Sequence, residues 1–339
     1  MDKLYGSIGN GTTNNSDAGS SKKRSTPADT CNDVIEDEST KKAKLEGAKE
    51  RMGLRGYYSY RKGEREEMQD QHLIIDEFSE FYAMDSVATS FYAVYDGHNG
   101  GKASKYASEH LHINLAKRLP KAATDVKAIE QQMKRTFMES YKETDEGFLS
   151  EATKVKPVLK DGTTATTILV LGKSAFVANI GDSRAILCRR KPEENKEVAL
   201  ILTKDHNPQV FEERARIEKA GGIVKDGRIL GMLEVSRSIG DGQYKKHGVT
   251  CIPDVKKCTL TENDRYMVIA CDGLWNAFSN QEVLEFVQKA LDTAKVEFGN
   301  LELYIWSLPA RFPDASAVPA SARRADNVTS GTVDRIHPQ

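Results

Sequence analysis

The pattern that most constrains this chain occurs twice: a short apolar run ends in the dipeptide Asp-Gly. Phe91–Tyr95 leads to Asp96-Gly97, and Tyr266–Cys271 leads to Asp272-Gly273. A buried strand fixes the direction of the side chain at its end, and glycine lets the backbone carbonyl approach a ligand closely. Asp-Gly is also an ordinary turn dipeptide, so each copy alone indicates a turn. Two copies at the ends of buried strands are harder to explain as turns alone, and their carboxylate and carbonyl oxygens are candidate ligands for a metal ion.

Two further acidic segments are weaker candidates for the same site. Gly181-Asp182-Ser183-Arg184 lies between two predicted strands, where a hairpin loop is the simpler interpretation. Arg65–Asp70 precedes the apolar run Leu73–Ile75, where a solvated loop is the simpler interpretation. Carboxylates are hard oxygen ligands that suit Mg²⁺ and Mn²⁺, so Asp182 and Asp70 remain candidates. Arg65 would suit a phosphate group, because a guanidinium can bind two oxygens at once.

His98 follows directly after Asp96-Gly97. A lone histidine is usually structural, but one beside a predicted metal ligand is a candidate general acid. Hydrolysis of a phosphate ester needs a proton for the leaving oxygen, and imidazole titrates in the right range.

Other catalytic patterns fail on inspection. The segment 97–102 resembles a P-loop, but Asp96 stands where its first glycine should be and Ala103 where Ser or Thr should be. Cys271 would need an arginine six residues later to act as the nucleophile of a thiol phosphatase, and that residue is Ala277. The chain has neither an HExxH motif nor a Gly-x-Ser-x-Gly elbow between a strand and a helix.

Hydrophobic periodicity predicts a mixed architecture. Apolar residues recur every four positions from Ala103 to Leu119 and from Ile129 to Tyr141, which indicates two amphipathic helices. The other predicted helices are Val210–Ala220, closed by Gly221-Gly222, and Gln281–Leu291, and the predicted strands are Phe91–Tyr95, Thr163–Val170, Ala175–Ile180, Ala185–Cys188 and Tyr266–Cys271. Strand runs interrupted by paired helices predict an α+β sandwich rather than strict βαβ alternation.

Composition narrows the class of protein and its setting. A net charge of -1 indicates no nucleic-acid partner, and no stretch approaches the roughly 18 apolar residues of a membrane span. The N-terminus lacks the apolar segment of a secretory signal. Five cysteines without a CxxC pair predict reduced thiols in the cytosol or nucleus. Two basic clusters, 22–24 and 41–44, could serve as a nuclear import signal, although basic patches are common in tails.

Seven segments, in this order, resemble successive motifs of the type 2C, metal-dependent protein phosphatases. They are Arg65-x-x-Met68-x-Asp70; Asp96-Gly97-His98 with Gly100-Gly101; Asp161-Gly162-Thr163-Thr164-Ala165; Asn179-x-Gly181-Asp182-Ser183-Arg184; Asp205-His206-Asn207-Pro208; Val235-Ser236-Arg237-Ser238-Ile239-Gly240-Asp241; and Ala270-Cys271-Asp272-Gly273-Leu274-Trp275. The resemblance extends over about residues 56–291. The stretches Gly63–Asp70 and Gly222–Thr250 resemble the integrin-linked-kinase-associated subgroup.

The resemblance implies two stacked, mainly antiparallel β-sheets flanked by pairs of helices, an α-β-β-α sandwich. It also implies two or more Mn²⁺ or Mg²⁺ ions per chain. By position, Arg65 should bind the substrate phosphate and His98 should protonate the departing oxygen. The implied metal ligands are Asp96 as a bridge between two metals, the Gly97 carbonyl, Asp272 with Asp326 at one metal, Asp70, and Asp182 near a third, weaker site.

The sequence departs from the family pattern at several positions. Gln69 replaces a glutamate near the second metal, Asn99 replaces a glycine, and Asn276 replaces an aspartate near the third metal. The Asp326-Asn327-Val328-Thr329 turn is present, but residues 305–324 are rich in Pro, Ala and Ser where the family would place a helix. We therefore expect a phosphatase domain over 51–339 with 305–339 atypical. Residues 1–50 are polar, with few large apolar side chains, so we expect them to form a disordered tail.

The resemblance predicts a phosphatase that hydrolyses phosphoserine and phosphothreonine esters with a water activated at a two-metal centre. The alternatives are a phosphatase-like binding module with weak or lost activity and a metal-dependent hydrolase of small phosphoesters. The expected partners are phosphorylated protein substrates and a kinase complex, without nucleic acid or membrane. We expect a monomer in the cytoplasm or nucleus that acts in signalling.

Overall fold

The computed structural model describes residues 54–78, 81, 88–119, 126–294, 302–307 and 323–324. Its helices are α1 (Lys102–Arg118), α2 (Val126–Lys154), α3 (Phe211–Lys219), α4 (Gly242–Lys245), α5 (Asp272–Trp275) and α6 (Asn280–Ala294). The strands are β1 (Arg55–Tyr60), β2 (Gln71–Ile75), β3 (Thr89–Tyr95), β4 (Gly97–His98), β5 (Gly162–Thr163), β6 (Ala165–Leu171), β7 (Ser174–Ile180), β8 (Arg184–Lys191), β9 (Lys196–Ile201), β10 (Val224–Lys225), β11 (Arg228–Ile229), β12 (Ile239–Gly240), β13 (Asp254–Thr259), β14 (Asp264–Ala270), β15 (Glu302–Ser307) and β16 (Arg323–Arg324). Within these ranges, none of the helices has the length and apolar character to cross a membrane.

Two large sheets are built from these strands. One has the order β13-β7-β6-β3-β2, and all of its neighbouring strands are antiparallel. The other has the order β16-β1-β15-β14-β8-β9, and only β15 runs parallel to its neighbours. Tyr92 and Val94 of the first sheet join Leu187, Met267 and Ile269 of the second in one buried cluster. The two sheets therefore stack face to face around a shared apolar layer.

Helices cover the outer face of the five-stranded sheet. Successive side chains of a strand point to opposite faces, so Phe91 and Tyr95 turn away from the layer that receives Tyr92 and Val94. They pack with Leu111 of α1 and with buried residues of α2. The four-residue apolar repeats that predicted these two helices are the stripes that face the sheet.

The outer face of the six-stranded sheet is also covered. Ile186 and Val268 pack there with Trp275 of α5 and with Val283 and Val287 of α6. Within the described residues the layers are therefore helix, sheet, sheet and helix. This order confirms the predicted α+β sandwich of mainly antiparallel sheets.

The connection between β7 and β8 corrects one expectation. The hairpin interpretation of Gly181–Arg184 is wrong, because β7 pairs with β6 and β13 whereas β8 pairs with β14 and β9. Gly181, with φ +89°, turns the chain from one sheet to the other. β7 is buried along its whole length and β8 is buried over Ala185–Cys188, so each takes an interior place in a different sheet. Asp182 therefore lies at a crossing point between the sheets.

The predicted helices and strands begin and end within about three residues of their predicted bounds, except that α2 continues to Lys154, well beyond the predicted end at Tyr141. Helix α3 ends as expected, since Gly221 has φ +79° and Gly222 N donates to Ile217 O over 2.9 Å. Three predictions fall wholly or mostly on residues outside the described ranges: the tail over 1–50, the ligand Asp326 and the atypical segment 305–339.

A buried ionic network holds the segment between β9 and β13 together. Glu213 of α3 is 2% exposed and accepts hydrogen bonds from Ser236 Oγ at 2.5 Å, Arg237 Nη2 at 2.7 Å and Arg216 Nη2 at 2.8 Å. Burial alone would raise the pKa of Glu213, but these hydrogen bonds outweigh it and hold the pKa well below its usual value.

We expect Glu213→Ala to lower the free energy of unfolding by about 3 kcal/mol, because it leaves two arginines without their buried counter-ion. Urea denaturation with far-ultraviolet circular dichroism measures the change. Glu212→Ala is the matched control, since the neighbouring carboxylate is exposed and should matter little. Equal losses for the two variants would contradict the structural role assigned to Glu213.

Candidate active site

A cavity of about 500 Å³ brings together the predicted site residues that the structure describes. It is lined by Arg65, Asp70, Asp96, Gly97, His98, Asp182 and Asp272, together with residues of the segment 228–235. Asp96 follows β3 of one sheet, Asp272 follows β14 of the other, and Asp182 lies at the crossing between them. The cavity therefore lies where the two sheets deliver acidic side chains to the same end of the sandwich.

Two threonines fix the backbone of Asp96. Thr164 N donates to Asp96 O over 2.9 Å, and Asp96 N donates to Thr164 Oγ1 over 3.1 Å. Thr163 Oγ1 also donates to Asp96 O, over 3.0 Å. These bonds explain why the strand predicted over Thr163–Val170 is interrupted at Thr164, between β5 and β6.

The Asp70 segment passes directly against the Asp96 turn. A side chain at Gly97 would collide with the backbone carbonyl of Gln69, so only glycine allows this approach. Ser104 Oγ of α1 donates to the same carbonyl and lies 3.0 Å from Gly101 O. The loop that carries Asp70 is therefore fastened to both β4 and α1.

Asp182 and Asp272 are positioned by their own neighbours. Thr164 Oγ1 lies 2.9 Å from Ser183 Oγ, which ties the Asp182 turn to the threonine that holds Asp96. Asp272 opens α5, and its Oδ2 accepts a hydrogen bond of 3.2 Å from Asn276 Nδ2. Asn276, one of the residues that depart from the family pattern, thus contacts a predicted metal ligand.

Burial raises the pKa values of Asp96, Asp182 and Asp272, and the charges of neighbouring carboxylates raise those of Asp96 and Asp182 further. Burial, followed by the charges of Asp70, Asp272 and Asp182, raises the pKa of Asp96 well above its usual value. Burial and the charge of Asp272 raise the pKa of Asp182 to about 7. Burial also raises the pKa of Asp272, against the hydrogen bond from Asn276 and the charge of Arg65. Like charges crowded in a partly buried cavity favour protonation, so the metal-free cluster retains protons near neutral pH.

The chemistry of these donors fits a hard divalent cation. The carboxylates and the Gly97 carbonyl are oxygen ligands, and a cation that replaces the retained protons would relieve their repulsion. In the part of the chain that the structure describes, no three His, Cys, Asp or Glu side chains already form a group that could hold a metal ion. The carboxylates therefore share a cavity without a preformed cage, and Asp326 lies outside the described residues.

His98 lies beside this cluster but has a different partner. Its Nε2 is 2.6 Å from Oδ2 of the fully buried Asp241. Burial alone would lower the pKa of His98, but the hydrogen bond and charge of Asp241 outweigh it and raise the pKa above its usual value. The ring is thus held in a form that can donate a proton.

Some residues of the cavity were given no role by sequence reasoning. Asp241 ends the motif Val235–Asp241, but the contact of its side chain with His98 depends on the register of three short strands, which the sequence does not show. The segment that carries Arg228, Met232 and Glu234 reaches the cavity from more than 100 residues along the chain from Asp96, and no pattern indicates it. Met232 is 60% exposed although it lines the cavity, and Arg228 pairs with Glu234.

Comparisons with known proteins identify the family of this chain. A family model described as protein phosphatase 2C matches residues 58–302. The integrin-linked kinase-associated serine/threonine phosphatase 2C of Homo sapiens is 50% identical over 249 residues, which cover 73% of this chain and 63% of the human protein. A probable protein phosphatase 2C of Oryza sativa is 39% identical over 241 residues, covering 68% of this chain and 64% of the rice protein.

Solved structures share the fold. The crystal structure of a serine-threonine phosphatase 2C from Toxoplasma gondii superposes with a TM-score of 0.59 at 20% identity, covering 68% of this chain and 81% of that chain. The structure of a C. elegans sex determining protein gives a TM-score of 0.57 at 24% identity, covering 68% of this chain and 54% of that chain. The match of the family model over 58–302, with a relative at 50% identity, shows that this chain belongs to the protein phosphatase 2C family.

Proposed function

We propose that this chain is a protein phosphatase that hydrolyses phosphoserine and phosphothreonine esters with the help of two divalent cations, Mn²⁺ or Mg²⁺. The observation that carries the proposal is the gathering of Asp70, Asp96, Asp182 and Asp272 in one cavity, where they raise the pKa of Asp96. Family membership and the positions of Arg65 and His98 in the same cavity support it.

Each group has a distinct task in this proposal. Asp96, Asp272, Asp70 and the Gly97 carbonyl would hold the cations, with Asp182 beside them and Asp326 as a further ligand. When bound, two cations supply a water of lowered pKa and neutralise charge on the phosphoryl oxygens.

The remaining tasks fall to an arginine and a histidine. Arg65, exposed at the mouth of the cavity, would bind two phosphoryl oxygens through its guanidinium. His98 would give a proton to the serine or threonine oxygen as the P–O bond breaks. Because water attacks directly, the buried Cys271 has no role as a nucleophile.

Partners and location follow from the relatives rather than from the cavity. A human relative is named for its association with integrin-linked kinase, so we propose a kinase complex as one partner of this chain. We propose that the chain acts in signalling, in the cytoplasm or nucleus, on phosphorylated proteins.

We expect the recombinant protein to release phosphate from a phosphoserine peptide in Mn²⁺ and to lose this activity in EDTA. Asp272→Ala should lower kcat/KM by at least about 100-fold, since residues that only orient metal ligands are already worth 10–100-fold. Malachite-green assay of released phosphate measures both effects.

Asp292→Asn is the matched control, because Asp292 is an exposed carboxylate of α6 that does not line the cavity. A folded, metal-binding protein without turnover would favour the alternative of a binding module. Faster turnover of nucleotides than of phosphopeptides would favour a hydrolase of small phosphoesters instead.

The raised carboxylate pKa values predict how metal and pH act together on stability. An aspartate whose folded-state pKa is raised makes the folded protein less stable as pH rises from the unfolded-state pKa to the folded-state pKa. For Asp182 this window runs from about pH 4 to about pH 7. The melting temperature in EDTA should therefore decrease as the pH is raised from 5 to 7.

We expect Mn²⁺ at about 100 times its Kd to raise the melting temperature by about 5–10 °C at pH 8, and by less at pH 5, where protons compete. Differential scanning fluorimetry in EDTA and in Mn²⁺ gives the four values. Asp182→Asn should make the melting temperature in EDTA less dependent on pH. Glu213 and Asp254 do not contribute to this dependence, because their pKa values are lowered and they titrate below this window. Equal midpoints with EDTA and Mn²⁺ at pH 8 would count against the proposed metal centre.

A further inference from the structure

Asp241 is a buried acid whose side chain meets the proposed general acid. It is 0% exposed, and its Oδ2 lies 2.6 Å from His98 Nε2 and 2.7 Å from Ser238 Oγ. Within the described residues, its Oδ1 is buried and has no hydrogen-bond partner. A buried carboxylate with one unsatisfied oxygen is unfavourable for folding alone, so its presence calls for a further explanation.

The backbone is arranged to bring this carboxylate to the histidine. In the small sheet β12-β5-β4, Gly162 of β5 pairs with His98 of β4 on one side and with Gly240 of β12 on the other. Asp241 follows directly after Gly240. Asp241 itself has φ 53° in the left-handed region, which is unfavourable for a residue other than glycine. Its N donates to Asp161 O over 2.9 Å, which fixes it in this conformation.

Gly162 leaves the space that the pair needs. A side chain there would collide with both Asp241 Oδ2 and His98 Nε2. The middle strand of the small sheet is thus shaped around the contact between carboxylate and imidazole.

No other cation in the described surroundings accounts for Asp241. Lys245 Nζ comes close, donating to Ser238 O over 2.9 Å, but its ion-pair partner is Asp145, also at 2.9 Å. The ion pairs found among the described residues leave His98 as the partner of Asp241. The carboxylate therefore acts on the ring of His98 rather than on a structural lysine or arginine.

We propose that Asp241 is a positioning residue for the protonation step: it fixes the His98 ring and keeps a proton on Nε2, so that Nδ1 delivers the proton to the leaving oxygen. This inference rests on the proposed phosphatase function. As the P–O bond breaks, the Nδ1 proton of the imidazolium passes to the serine or threonine oxygen, and the Nε2 proton stays on the ring beside Asp241. The ring is left neutral, and water restores its lost proton.

Comparing two leaving groups tests this assignment. A serine alkoxide is a poor leaving group that needs a proton, whereas p-nitrophenolate departs without one. We expect Asp241→Asn to lower kcat on a phosphoserine peptide by about 100-fold, in the range of general-acid effects, and to change kcat on p-nitrophenyl phosphate by less than about 3-fold. His98→Asn should show the same selectivity, and the double variant should be no slower on the peptide than His98→Asn alone.

Two further variants guard against a simple loss of structure. Asp264→Asn removes a buried, ion-paired carboxylate of β14 away from the cavity and should leave the ratio of the two activities unchanged. Ser238→Ala is a milder change that removes a donor to Asp241 Oδ2, and it should shift the ratio in the same direction by a smaller factor. Circular dichroism and urea midpoints check that each variant is folded.

A second readout does not depend on activity. In the metal-free protein, ¹⁵N chemical shifts of neutral His98 should place its proton on Nε2, and Asp241→Asn should move part of the population to the Nδ1 tautomer. Equal losses on both substrates, additive effects in the double variant, or a neutral ring protonated on Nδ1 in the wild type would each overturn the role of Asp241. A wild-type protein that hydrolyses neither substrate would overturn the phosphatase proposal and this inference with it.

Discussion

Crowding of like charges at one end of the sandwich is the constraint on which the site depends. Four aspartates face one cavity, and the pKa values of Asp96, Asp182 and Asp272 are raised above their usual values. Because these carboxylates repel one another, contacts in the rest of the fold must keep them in place. The stacked sheets do so, because the strand that leads to Asp96 is buried along its whole length and the strand that leads to Asp272 is buried except at Arg265.

Neutral hydroxyl groups link the turns that carry Asp96 and Asp182. Thr164 forms hydrogen bonds with the backbone N–H and the backbone carbonyl of Asp96, and its hydroxyl group also contacts Ser183 beside Asp182. A hydroxyl can donate to one group and accept from another without adding charge, so it can link two acidic turns and leave their carboxylates facing the cavity. An arginine in this place would instead neutralise the carboxylates that a divalent cation must find ionised.

Sequence reasoning predicted those features that depend on local pattern. The four-residue repeat from Ala103 to Leu119 predicts α1, and the apolar run before Asp272 predicts β14. Both predictions succeed because a buried helix face or a buried strand produces a hydrophobic pattern among neighbouring residues of the sequence. The shared position of Asp96 and Asp272 came from resemblance to a family rather than from the pattern itself. The simpler interpretation of Gly181–Arg184 as a hairpin was wrong, because the same apolar run fits an interior strand of either sheet.

Long-range register explains what sequence reasoning could not supply. Nothing local to Asp241 indicates that its side chain meets His98, 143 residues earlier. That contact depends on three two-residue strands, each too short to show a period of its own. The approach of Met232 to the cavity depends in the same way on how the segment between β9 and β13 folds back.

The short distance between Asp96 and His98 along the chain poses an electrostatic problem that the small sheet addresses. Cations held by Asp96 would repel an imidazolium two residues away, although a general acid must keep its proton until the leaving oxygen takes it. The fold separates the two environments by pairing β4 with β5 rather than with the large sheets. This pairing gives His98 a buried carboxylate of its own in Asp241, which can offset that repulsion without competing for the cations. Metal binding and proton delivery can therefore coexist within one three-residue turn.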